Sequence, residues 1–228
     1  MLLVGFALLS AASAGADPIP PAANAPDLGI SSRIRPRWID VHYDVRKTLA
    51  ELAKCAVFAD PEKSTEMLVH ANEPMTPDDV SLVTPDCLVF ATWGVDEGPV
   101  ELQTNATVIQ FSFADEVFRR ELTQSDLHRL LTAPPLSQPQ SDKAAYYRVG
   151  ECIVRAAPER AKGLLLTKVE TDAEAEAFVR LLPAISSCQP DGATLTPNKA
   201  DIRGTVALNY VRLAAATDQL PSARAKSK

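Results

Sequence analysis

Glycine is scarce in this chain, with nine among 228 residues. That argues against a Gly-rich phosphate loop and against an all-β fold built on tight turns. Histidine is scarcer still, limited to His42, His70 and His128. None is paired at i, i+4 and none sits in H-E-x-x-H, which excludes a zinc hydrolase of that kind. There is no C-x-x-C, no G-x-S-x-G, no P-loop and no G-x-G-x-x-G. Positive charge is not in excess: the formal net charge is −6 and the pI is near 5.1, so nothing offers a basic footprint for nucleic acid. Aromatic residues make up only 6%. What remains is ordinary for a folded protein, with 46% hydrophobic and 23% charged residues. Eighteen prolines and four cysteines complete the picture.

The N-terminus reads MLLVGFALLSAASA. An apolar run over residues 2–12 ends in small residues, and Ala14-Gly15-Ala16 offers an A-x-A site before Asp17. This is a secretory signal pattern, although no Lys or Arg precedes the run. The run is shorter than the ~20 apolar residues that a membrane span needs, so no stable span is expected in the mature chain. Residues 17–37 hold Pro18, Pro20, Pro21, Pro26 and Pro36 and read as an extended linker.

Cys55, Cys87, Cys152 and Cys188 form an even set in a chain marked for export, which reads as disulfides. A repeat selects among the pairings. Laying Cys152 over Cys55 aligns CAVFADPEKSTEMLV with CIVRAAPERAKGLLL, sharing C-x-V-x-A-x-P-E-[KR]. A second block, 102–122, aligns with 195–215 through Leu102, Asn105, Ile109, Ala114 and Arg119 against Leu195, Asn198, Ile202, Ala207 and Arg212. Both blocks and both cysteines keep their order, which indicates duplication. Each copy then closes on itself, as Cys55–Cys87 and Cys152–Cys188.

Helical spacing runs through both copies. Leu49, Leu52, Ala56 and Ala59 form one stripe, and Tyr146, Val149, Ile153 and Ala156 form its counterpart. Asp60-Pro61-Glu62 reads as the cap and first turn of a second helix, whereas Ala157-Pro158-Glu159 lacks the cap. Thr76-Pro77-Asp78-Asp79 opens a third helix. Its counterpart opens at Thr171, with Glu174 completing a capping box and Phe178, Leu181, Leu182 and Ile185 as the apolar face. Ile109, Phe113 and Val117, matched by Ile202, Val206 and Tyr210, give the last helix of each copy. The fold class is therefore all-α, with two similar four-helix-type lobes from an internal duplication, each holding one disulfide. The expected organisation is signal peptide 1–16, linker 17–37, helical repeat 38–132, Pro-rich hinge 133–143, helical repeat 144–216 and basic tail 217–228.

The copies differ after the second cysteine. Segment 88–101, LVFATWGVDEGPVE, has no counterpart of equal length, and a small hairpin or apolar flap is expected there. An insertion on one copy of a repeated scaffold is where function is added. The expected binding residues are Trp93, Asp96 and Glu97, joined by Trp38 and His42 from the lead-in WIDVHYD. If that lead-in is extended, Trp38, Asp40, His42 and Asp44 share a side.

The sequence favours a non-catalytic binding or interaction module of the bacterial cell envelope, periplasmic or secreted, with no cofactor and no metal. Its partner is an envelope protein or a small ligand, and not nucleic acid. The rival reading is a small periplasmic, hydrolase-like enzyme using His42 with Asp40 or Asp44 as general base.

Overall fold

The computed structural model describes residues 41–71, 79, 81–92, 106–139, 144–189 and 198–221. Among these the regular structure is entirely helical. The helices are α1 (Val41–Ala59), α2 (Pro61–Val69), α3 (Pro85–Thr92), α4 (Ala106–Val117, extended by a π-turn over Phe118–Leu122), α5 (Leu127–Leu131), α6 (Ala144–Ala156), α7 (Pro158–Leu165), α8 (Asp172–Cys188) and α9 (Lys199–Ala216).

Local chemistry starts and stops these helices. The Asp60 carboxylate accepts from Lys63 N at 2.9 Å and caps α2, with Pro61 at its first position. Ala157 offers no such bond to α7, as its side chain dictates. Asn198 and Asp201 form a reciprocal capping box at the start of α9. α9 stops where Asp218 enters the left-handed region (φ 53°) and Gln219 N turns back to Ala214 O at 2.8 Å.

The expected stripes are largely inward. Leu49, Leu52, Ala56, Val149 and Ile153 are buried, while Ala59 and Ala156, the last residues of α1 and α6, are exposed. On α8, Phe178, Leu181 and Ile185 are buried but Leu182 is exposed, because the buried face also takes in Ala177, Ala184 and Cys188 and is turned away from Leu182. The hairpin expected at 88–101 is not what begins there. Leu88 to Thr92 belong to α3, which Thr84 starts: its hydroxyl accepts from Cys87 N at 3.2 Å and Pro85 follows it. Residues 93–101 lie outside the described residues, as do Thr76, Pro77 and Asp78.

The disulfides pair as expected, Cys55 with Cys87 and Cys152 with Cys188, with Cα–Cα distances of 5.4 and 5.7 Å. The first ties α1 to α3 and the second ties α6 to α8. A single apolar core runs through both halves of the chain. Its axis is α9, in which every residue from 202 to 214 is buried. α4 packs on one side of α9 and α6 on another, while α1 lies against α4 and α3 against α1.

Two glycines set how closely α9 is approached. A Cβ on Gly150 would stand 2.4 Å from Thr205 Oγ1 and 2.6 Å from the Thr205 carbonyl oxygen. A Cβ on Gly204 would stand 2.3 Å from Phe111 Cβ. Neither obstacle is the free end of a flexible side chain. Gly150→Ala is therefore expected to lower stability by about 1–3 kcal/mol through overpacking. Gly163 in α7 meets nothing within 4 Å, so Gly163→Ala is expected to gain about 0.5–1 kcal/mol from helix propensity alone. Thermal melts of the two variants check both signs.

The described part of the expected hinge is fastened to its surroundings. Arg155 donates to the carbonyls of Ala133 and Pro134 at 3.1 and 2.8 Å. Glu151 accepts from Leu136 N and Gln138 Nε2, and Arg212 donates to Ser137 O at 2.6 Å. These prolines make a strap across α6 and α9.

Candidate functional site

The densest polar chemistry lies where α1, α4, α8 and α9 converge. Arg203 of α9, only 4% exposed, reaches Asp115 of α4 and Glu174 of α8 at 2.9 and 3.0 Å. It also donates to the carbonyls of Leu164, Leu165 and Thr167, which closes the C-terminal end of α7. Arg46 of α1 grips Glu174 through both terminal nitrogens, at 3.1 and 2.8 Å, and pairs with Glu170 as well. Arg119 bonds Asp115 and the Thr167 carbonyl. Three guanidiniums thus face three carboxylates. Burial pushes the Glu174 carboxyl up, but the Arg46 hydrogen bond, the Glu170 N–H and the charges of Arg46 and Arg203 outweigh it, so its pKa lies below the ordinary value. Burial likewise lowers Arg46, and its bonds to Glu174 and Glu170 more than reverse that.

A cleft of about 550 Å³ opens above this network. Val45, Leu49, Val108 and Phe111 form its apolar walls, and Arg46, Glu170, Lys199 and Asp201 its polar rim. That volume is in the range of small-ligand sites. Glu170 holds a left-handed backbone (φ 58°) at the rim, and its N–H donates to Glu174 Oε2 at 3.0 Å.

A second concavity, about 630 Å³, lies on the first half of the chain, lined by Lys54, Cys55, Phe58, Ala59, Glu116 and Arg120. Phe58 is 76% exposed, and the Arg120 guanidinium sits 5.6 Å from its ring centroid. Burial raises the Glu116 carboxyl, with Arg119 pulling it partway back. Leu88 and Val89 of α3, next to the disulfide partner of Cys55, are also exposed.

Of the residues expected to bind, Trp38, Trp93, Asp96 and Glu97 lie outside the described residues. His42 and Asp44 fall in the first turn of α1, where only the backbone is described. That backbone is helical, so residues two apart stand roughly 200° around the axis and the strand-like alternation does not hold from Val41 onward. Asp115 and Glu116 diverge, as adjacent helical residues must: one enters the buried network and the other the groove. Thr171 caps α8 through Glu174 N, but the Glu174 side chain turns to Arg46, Arg203 and Glu170 N and forms no capping box. Local reading explained Glu174 by its own helix and missed its distant partners. Among the described residues no group of His, Cys, Asp and Glu is arranged to hold a metal ion, and no helix is long and apolar enough to cross a membrane.

Compared with known proteins, the chain matches no family model, no curated protein and no solved structure.

Proposed function

We propose that this chain is an exported binding module of the bacterial cell envelope whose contact surface is the groove at Phe58 and Arg120. The observation that carries the reading is Phe58: a large aromatic side chain 76% exposed in the wall of an apolar groove and topped by an arginine. Aromatic and arginine anchors of this kind dominate the energetics of protein interfaces. The groove sits beside the bridge that tethers α3, and α3 runs into the segment unique to the first copy. Trp93, Asp96 and Glu97 follow α3 in the sequence and are proposed as further binding residues.

The scaffold beneath it is a duplicated unit. Each half has a helix ending before a Pro-started helix, at Ala59 and Ala156, and a disulfide from that first helix to a later one. Two disulfides and the absence of a spanning helix among the described residues fit an oxidising compartment, in keeping with a signal peptide over 1–16.

The test uses the mature chain, residues 17–228, as bait in a periplasmic extract, followed by binding measurements with the purified partner. Phe58→Asp is expected to weaken binding by about 30-fold or more, the loss of a 2 kcal/mol hot spot. Its stability should stay within about 0.5 kcal/mol of wild type, as for other exposed positions. Undiminished affinity in Phe58→Asp sinks the assignment of the groove.

A further inference from the structure

We infer that the cleft between α1, α4 and the start of α9 binds a small amphipathic carboxylate. Its apolar body lies on Val45, Leu49, Val108 and Phe111, and its anionic head is taken by Arg46 and Lys199. The site is separate from the groove at Phe58, and the inference does not depend on that reading.

The walls decide the body of the ligand. The cleft holds about 550 Å³, a volume that small molecules fill. α1 supplies Val45 and Leu49 and α4 supplies Val108 and Phe111, while α9 adds only the small Ala200 and Gly204 to the lining. Val45 and Val108 are half-buried, so an apolar body resting on them removes further apolar surface from water.

The charges decide the head. Arg203 is spent on Asp115 and Glu174, and Asp115 on Arg203 and Arg119. Arg46 differs, because its two partners lie at two depths. The Glu174 side chain is 2% exposed and holds Arg46 from beneath, whereas that of Glu170 is 21% exposed and holds it from the rim. An incoming carboxylate can replace Glu170, whose own carboxylate then turns to water, while Glu174 keeps the guanidinium in place. Lys199 is exposed at the first position of α9 and forms no ion pair with a described residue. Its neighbour Asp201 is occupied by the Asn198 N–H. With Glu170 turned out, the mouth presents Arg46 and Lys199, and two cations are complemented by an anion. A carboxylate suits them best, since its two oxygens match the fork of a guanidinium.

Isothermal titration calorimetry of the mature chain at neutral pH, with octanoate, octylamine and octanol as probes, tests the site. Octanoate is expected to saturate one site and to bind at least about tenfold more tightly than either analogue, the worth of one charge-assisted hydrogen bond. Lys199→Glu should weaken octanoate by about tenfold or more at an unchanged melting temperature. Ala200→Trp, which fills the cleft from its rim, should abolish saturable binding. Phe58→Asp should leave octanoate binding as it is. Absence of saturable octanoate binding, or octylamine or octanol binding as tightly as octanoate, overturns the inference. So does full affinity in Lys199→Glu or Ala200→Trp, or a loss in Phe58→Asp, which would move the ligand to the other groove.

Discussion

Replacing Arg203 by alanine is expected to cost about 3–5 kcal/mol, the usual loss when one member of a buried ion network is removed. The reason is what the guanidinium leaves behind. Asp115 and Glu174 lose their most buried counter-charge, and the carbonyls of Leu164, Leu165 and Thr167 each lose one donor. For a chain of this size the shift in melting temperature is on the order of 10 °C. Arg203→Lys should fall well short of rescue, because a single ammonium cannot reach two carboxylates and three carbonyls in different directions. The same network sets the acid limit. The folded pKa of Glu174 is below its unfolded value, so its contribution is fully present above the ordinary carboxylate range and is lost as pH falls through the folded pKa. Urea midpoints should therefore hold from neutral pH to about pH 5 and then decline. The decline should be shallower in Arg203→Ala, where the charge that depresses Glu174 is missing. A stability loss under 1 kcal/mol would mean the network carries no weight in folding.

Removing all four cysteines is expected to have the largest effect of any small set of substitutions. The bridged residues are 32 and 36 apart, so each bridge contributes about 3.5–4 kcal/mol in the chain-entropy description. Together they supply about 7–8 kcal/mol. A domain of ordinary stability has 5–15 kcal/mol in all. The chain with Ser at 55, 87, 152 and 188 should be largely unfolded at 37 °C by circular dichroism. Each two-cysteine variant should still fold, with a urea midpoint displaced by a similar amount for either bridge. A four-serine chain that melts within a few degrees of wild type would refute the estimate.

The pairing of the cysteines was readable because the repeat around Cys55 and Cys152 tied each to the nearer partner. The cap at Asp60 was readable because a short polar side chain before a helix has one dominant use. α3 was not. Thr84-Pro85-Asp86 repeats the signal of Thr76-Pro77-Asp78 eight residues on, and its apolar Leu88 and Val89 resembled a strand or flap. α9 was only half readable. The stripe of Ile202, Val206 and Tyr210 was visible, but nothing in it placed Arg203, Thr205, Asn209 and Arg212 in the core. They are buried because their partners arrive from far along the chain: Asp115 for Arg203, the Tyr146 and Tyr147 carbonyls for Thr205 and Asn209, and Ser137 for Arg212. No local pattern encodes a partner sixty to ninety residues away. The groove at Phe58 escaped for a related reason. A phenylalanine three residues after a half-buried cysteine gave no sign that it would stand in solvent beside Arg120.

The place of α9 in the chain has a consequence for biosynthesis. The helix on which α4 and α6 both lean is the last of the nine described helices to leave the ribosome. Synthesis runs at ~5–20 residues per second, so for many seconds the earlier helices exist with their common support missing. During that interval α4 can pack on α1 and α2, but neither it nor α6 has the face of α9, and the core stays incomplete. A protein whose keystone arrives last delays completion of its own fold until that helix has been made. Chains arrested before residue 199 should therefore remain sensitive to protease along their whole length, whereas chains carried past residue 216 should acquire resistance in a single step.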